Sequence, residues 1–206
     1  MKIEETIGEL VKCGEWVDFS HLATPPVVTA SFIRELLLAV SALDCGFRLE
    51  TRWLGLRLRG IALDGDINLA SLGDEATYLS PLCLEQCFIK GSISLSGSRI
   101  NSLSLRGSKV EKLDLSYCHI SNSLDLRQIG PTSTYCTVDL WSSRIGGSLQ
   151  LDGAELVAPN NQRALDASLA VIEGSAHLRR SFAARGHVRF HNAEIGKTLD
   201  LSLIHI

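Results

Sequence analysis

The sequence predicts a mainly β fold, a right-handed parallel β-helix of about seven four-sided coils with an N-terminal α-helical cap. Three observations carry that expectation. The first is a five-residue period: Ile93, Ser98, Leu103, Ser108, Leu113 and Cys118 fall five apart, and Leu95, Ile100, Leu105, Val110, Leu115 and Ile120 repeat the spacing two places later. The second is an alternation between successive units. Bulky pairs at i and i+2, such as Leu103/Leu105, Leu113/Leu115 and Leu124/Leu126, are separated by lighter pairs, small then bulky, such as Ser98/Ile100, Ser108/Val110 and Cys118/Ile120. The third is composition. The chain is 45% apolar but only 6% aromatic, and aliphatic side chains stack in regular ladders better than rings do.

The elements follow in order. Residues 3–13 read as a short helix with Ile3, Ile7, Leu10 and Val11 on one face and Gly14 as its stop. Trp16-Val17-Asp18-Phe19 alternates like a strand, and Pro25–Pro26 then breaks the chain. Residues 30–44 form a second helix that Thr29 or Ser31 can cap. Its apolar face of Phe32, Ile33, Leu36, Leu37, Val40 and Leu43 must bury, and the first coil is the natural partner. The division expected is a helical cap over residues 1–50 and a β-solenoid repeat domain over 51–206.

Within the repeat, bulky pairs run from Leu56/Leu58 to Leu199/Leu201. The longer steps at 69–82, 126–138 and 151–165 contain Gly73-Asp74, Gly130-Pro131 and Pro159-Asn160-Asn161, which are loop chemistry. Alternation along each side puts one face in and one face out. A five-residue side cannot pair with itself, so it must bond to the equivalent side one turn away. Four sides give roughly 20 residues per coil and a rod of about 35 Å. The register expected puts Leu103 on Leu124, not on Leu113, and Asp114 on Asp139. Gly60, Gly97, Gly107 and Gly153 fit the corners.

Leu113-Asp114-Leu115-Ser116-Tyr117, Leu103-Ser104-Leu105-Arg106-Gly107 and Leu124-Asp125-Leu126 resemble the unit of the pentapeptide-repeat proteins, in which a small residue, Asp or Asn, and Leu are followed by two polar residues. Here Leu stands at the usual small first position. Alternating large and small first positions, with the Ile33-Arg34-Glu35-Leu36-Leu37-Leu38 helix ahead of them, look most like a divergent bacterial group often labelled membrane-associated oxidoreductases. The resemblance spans residues 54–201 and implies the fold; no cofactor motif accompanies the oxidoreductase label.

A net charge of −3 gives no whole-chain pull toward nucleic acid or an anionic membrane. The six cysteines lack the second Cys or His pair of a zinc finger and read as buried, reduced thiols. The start, MKIEETIGEL, is charged and helical, not a signal peptide. The stretch Leu36–Leu43 is too short to span a membrane.

Two constellations are candidates for chemistry. Asp114, Asp139 and Asp166 lie between inward pairs and should stack outward in a column, where carboxylates suit Ca²⁺ or Mg²⁺. The competing reading is that each accepts hydrogen bonds from nearby backbone. The second is basic: His177, Arg179, Arg180, Arg185, His187, Arg189 and His191 lie between Glu173 and Glu194 with no acid among them, a composition that binds anions, nucleic acid or lipid headgroups. Their strands should lie on opposite faces, so the charges encircle the rod. No Walker loop, dinucleotide-binding glycine pattern or nucleophile elbow occurs, and His119 points out where its neighbour Cys118 points in.

The function expected is a non-enzymatic structural and protein-interaction scaffold, cytoplasmic, without cofactors. The alternatives are anion, nucleic-acid or membrane-surface binding through residues 177–191, or an accessory domain of an oxidoreductase-labelled protein. A protein partner is the first expectation; nucleic acid is disfavoured, and peripheral membrane contact and end-to-end self-association stay open. Leu199-Asp200-Leu201 begins another unit and no cap follows, so the sequence reads as truncated or as pairing end to end.

Overall fold

The computed structural model describes Ile7 and residues 16–44, 55–73, 78–202 and 204–205. The fold is mainly β, its strands paired in parallel. The helix expected over residues 3–13 lies outside the described residues apart from Ile7, which is helical and fully buried.

The helix α1, Ala30–Asp44, matches the bounds expected for it. The Phe32 amide donates to Thr29 Oγ1 at 3.4 Å, so Thr29 is the cap. Ile33 and Leu37 are fully buried, and α1 packs on Val27–Thr29, Leu56–Arg59 and Ile67–Asn68. A buried hydroxyl fixes its far end: Ser41 Oγ donates to Leu37 O at 2.8 Å and accepts from Ser80 N at 3.0 Å.

The chain then visits four β faces in the same order on each circuit. The first face pairs Val17–Asp18, Leu56–Arg59, Leu82–Glu85, Leu103–Ser104, Leu124–Asp125, Leu149–Gln150, Ala176–His177 and Leu199–Asp200. The second holds Val27–Thr29, Ala62–Asp64 and Phe88–Lys90, continues through single bridges at Lys109 and Gly130, and resumes with Glu155–Val157, Phe182–Arg185 and Ile204–His205. The third runs from Ile67–Asn68 through Ser92–Ser94, Lys112–Asp114, Thr137–Asp139 and Arg163–Asp166 to His187–Arg189. The fourth runs from Arg99–Ile100 through His119–Ile120, Arg144–Ile145 and Val171–Ile172 to Glu194–Ile195.

The register agrees with the period. Leu103 pairs with Leu124, and Asp114 with Asp139. Leu103, Leu105, Leu113, Leu115, Leu124 and Leu126 are at most 1% exposed. Small inward residues occupy the second and fourth faces: Cys87, Ser108 and Ala154 on one, Ser98, Cys118, Ser143 and Ala170 on the other, all buried. Burial of the thiols raises them, Cys87 to about 11 and Cys118 to about 12. Cys136, also buried, is raised to about 12. The described cysteines are free.

The hydroxyls of Ser98 and Ser108 stitch one circuit to the next. Ser108 Oγ accepts from Cys87 N at 2.9 Å and donates to Leu84 O at 2.6 Å. Ser98 Oγ accepts from Leu72 N at 3.0 Å and donates to Leu69 O.

The corners depart from expectation in one respect. Gly60, Gly97, Gly107 and Gly153 do adopt left-handed φ, between 66° and 70°. Gln86, Tyr117, Gln128, Leu169 and Arg180 occupy the same corners with φ between 51° and 59°. The ladder holds them there, because corner amides still pair: Gln86 N with Arg106 O at 2.9 Å, Tyr117 N with Trp141 O at 2.8 Å, Gln128 N with Asp152 O at 3.0 Å. Those bonds offset the roughly 1 to 2 kcal/mol that a left-handed non-glycine residue costs.

Candidate functional site: a charged trough on the third face

Three outward columns cover the third face. Strands there place an inward residue such as Leu113 or Val138 between outward neighbours; in Arg163–Asp166 the alternation breaks, with Ala164 and Leu165 both buried. The first column carries two in-register pairs, Lys112 with Thr137 and Arg163 with His187, separated by the register shift between Arg163 and Leu165. The central column carries Asp114, Asp139, Asp166 and Arg189. The third carries Ser116, Trp141, Ser168 and His191, two residues further along each strand.

These columns form an open trough. One cavity of about 610 Å³ is lined by Lys112, Asp139, Gln162, Arg163, His187 and Arg189, with Pro159 among its walls. A second of about 610 Å³ shares Arg163, Asp166 and Arg189 and extends over Trp141, Phe190 and His191. The 3₁₀ turn Pro159–Asn161 raises one wall, and its Asn160 sits at φ 46°. Tyr117 packs edge-on against Trp141 with ring centroids 4.7 Å apart and is 56% exposed, so the rim on that side is aromatic.

The aspartate column is assembled as the sequence implies. Each of the three closes a local turn: Asp114 Oδ1 accepts from Ser116 N at 3.1 Å, Asp139 Oδ1 from Trp141 N at 2.9 Å, and Asp166 Oδ1 from Ser168 N at 3.0 Å. Asp166 is nearly buried, and its other oxygen takes an ion pair from Arg163 Nη1 at 2.6 Å. Burial raises the Asp166 carboxyl, but the bonds from Ser168 and Arg163 and the Arg163 charge outweigh it and leave it below its ordinary value. Among the described residues Asp139 makes no ion pair. Burial first, then the Asp114 and Asp166 charges, hold it above its ordinary value. Among the described residues, no group of three or more His, Cys, Asp or Glu has the geometry to hold a metal ion, and the bonds found are those of the backbone-accepting reading.

The basic segment is dispersed. His177 and Arg179 lie on the first face, Arg180 at the corner beyond it, and Arg185 on the second face. Only His187, Arg189 and His191 reach the trough. Arg179 is committed to Asp152, with Nε to Oδ1 at 3.1 Å and Nη2 to Oδ2 at 2.9 Å, and reaches Asp200 at 3.4 Å. The seven residues are therefore not one patch. Lys112 and Arg163, distant in sequence, join His187 and Arg189 instead.

His119 lies away from the trough on the fourth face, where its Nδ1 meets Tyr78 Oη at 3.3 Å and Arg99 Nη1 at 3.2 Å. Burial and the Arg99 and Arg144 charges hold it below its ordinary value. Cys118 beside it is turned inward, so the two do not face each other. Among the described residues, no helix is long and apolar enough to cross a membrane. Comparisons with protein-family models, with curated proteins and with solved structures find no match.

Proposed function

We propose that the chain is a non-enzymatic binding scaffold built as a right-handed β-solenoid of the pentapeptide-repeat kind, and that the trough on its third face is where a protein partner sits. The in-register ladders and the alternation of bulky and small inward residues support the solenoid, and right-handed crossover is the usual sense for connected parallel strands. One observation carries the functional reading. The trough holds an in-register column of Asp114, Asp139, Asp166 and Arg189 along its floor, Lys112, Arg163 and His187 on its rim, and Tyr117 and Trp141 at one edge. Such a surface recognises an extended polypeptide segment bearing both signs of charge, since charge patterning selects partners more than it supplies affinity. A cytoplasmic setting agrees with the free thiols.

The test is affinity capture with the full chain, wild type beside a Lys112→Glu/Arg189→Glu trough variant and an Arg144→Glu variant on the fourth face. Each protein captured is then titrated directly. The reading expects a partner whose affinity falls about tenfold or more in the trough variant and is unchanged by Arg144→Glu. Binding that survives the trough variant, or falls equally in both, overturns it.

A further inference from the structure

We propose a second site, for a phosphate or related tetrahedral oxyanion, at the corner between the first and second faces. It is independent of the trough. A small cavity of about 110 Å³ there is lined by Arg106, Arg127, Gln128, Asp152, Gly153 and Arg180. At a share of roughly 30 Å³ per water, that space matches about four oxygen-sized groups, the size of one tetrahedral anion. Gly153 makes the room. A Cβ built on it would meet Arg180 O and the Gln128 side chain at 3.4 Å, so the glycine leaves a gap between the rungs above and below.

The charges around the gap do not cancel. Arg127 is neutralised by Asp125, with Nε to Oδ1 at 2.8 Å and Nη2 to Oδ2 at 2.5 Å. Asp152, almost buried, is neutralised by Arg179. Glu85, the rung neighbour of Arg106, is already taken by Arg59 Nη2 at 3.0 Å and Ser104 Oγ at 3.0 Å. Arg106 and Arg180 are left exposed on the cavity with no carboxylate in ion-pair reach among the described residues. Two guanidinium groups without a direct ion pair and a third held in place by Asp125 form a forked donor set, the arrangement that recognises phosphate oxygens. Arg180 also sits in the left-handed region at φ 52°, followed by Ser181 at φ 68°.

The experiment is a titration of the full chain with inorganic phosphate at constant ionic strength, followed by ¹H–¹⁵N correlation spectra, with phenyl phosphate as the monoester arm and chloride as the control. Saturable shifts are expected at Arg106, Gln128, Gly153 and Arg180. Tighter binding of phenyl phosphate assigns the site to a phosphate monoester, and equal binding assigns it to the free anion. Arg106→Gln/Arg180→Gln, two exposed side chains whose loss should leave the thermal melt unchanged, is expected to weaken binding by about tenfold or more. Arg189→Gln in the trough is expected to leave it unchanged. Absence of saturable shifts, shifts that persist in the double variant, or shifts centred on Arg163 and Arg189 would overturn the proposal.

Discussion

Two buried serines make opposite demands on the same fold, and replacing each with alanine separates them. Ser108 Oγ is the partner of the Cys87 amide at 2.9 Å and donates to Leu84 O at 2.6 Å. Ser108→Ala removes the acceptor and leaves that amide buried with nothing to bond. An orphaned buried donor costs about 1 to 3 kcal/mol. For a chain of 206 residues, each kcal/mol moves the melting temperature by roughly 2–4 °C, so a loss of about 2 kcal/mol lowers it by about 4–8 °C. Ser143 occupies the equivalent small inward position on the fourth face, is 1% exposed, and its hydroxyl has no hydrogen-bond partner among the described residues. Ser143→Ala removes a polar group that was buried at a cost, a gain of about 1 kcal/mol or a rise of about 2–4 °C. Urea and thermal melts of the two variants beside wild type measure both. If Ser143→Ala destabilises as much as Ser108→Ala, the reasoning that the hydroxyl staples, and not the small volume, distinguish these positions is refuted.

Other outcomes follow from the electrostatics and the backbone. The Asp139 carboxyl is held above its ordinary value of 3.8 by burial and by Asp114 and Asp166, so its charged form disfavours the fold at neutral pH and that cost is relieved as pH falls through the raised value. Asp139→Asn, which keeps an acceptor for Trp141 N, should therefore raise stability at pH 7 and by less at pH 4, as urea melts at the two values would show; an unchanged or lowered stability at pH 7 contradicts this. Asp152 runs the other way: burial raises it, but Arg179 outweighs burial and depresses it, so its contribution is present above the ordinary carboxylate range and is lost as pH falls through the lowered value. Arg179→Met should be destabilised at pH 7, with the gap to wild type narrowing in acid; a pH-independent gap would show that packing, not charge, is what Arg179 supplies. At Gly146 an added Cβ would lie 2.2 Å from Ser121 O on the rung below, so Gly146→Ala should cost at least about 2 kcal/mol by denaturant melt. A melt like wild type there would mean the rungs are further apart than described.

Much of this structure could be read from residue types because a stacked ladder leaves inward positions little choice. Leu103 and Leu124, or Leu113 and Val138, are apolar and correctly spaced, and that alone assigns each to its face and its neighbour. The aspartate column was legible for the same reason. The composition of the trough was not, because its cations come from different circuits. Lys112 and His187 lie on the same face, each paired to a neighbouring strand, at Thr137 and at Arg163, whereas His177 and Arg179, close to His187 in sequence, belong to another face. Arg163 was further hidden by the Pro159–Asn161 turn and by the register shift between Arg163 and Leu165. The corners carry no residue signature at Tyr117 or Leu169, since ladder hydrogen bonds, not glycine, hold the left-handed φ there.

The central claim is the register that sets these faces and columns, and the interstrand contacts of backbone protons measure it directly. In a ¹⁵N-edited nuclear Overhauser spectrum of the full chain, the account predicts backbone contacts between Leu103 and Leu124, between Leu113 and Val138, and between Ile120 and Ile145. Contacts joining Leu103 to Leu113 instead, or Leu113 to Leu124, would contradict the four-faced register and with it both proposed sites.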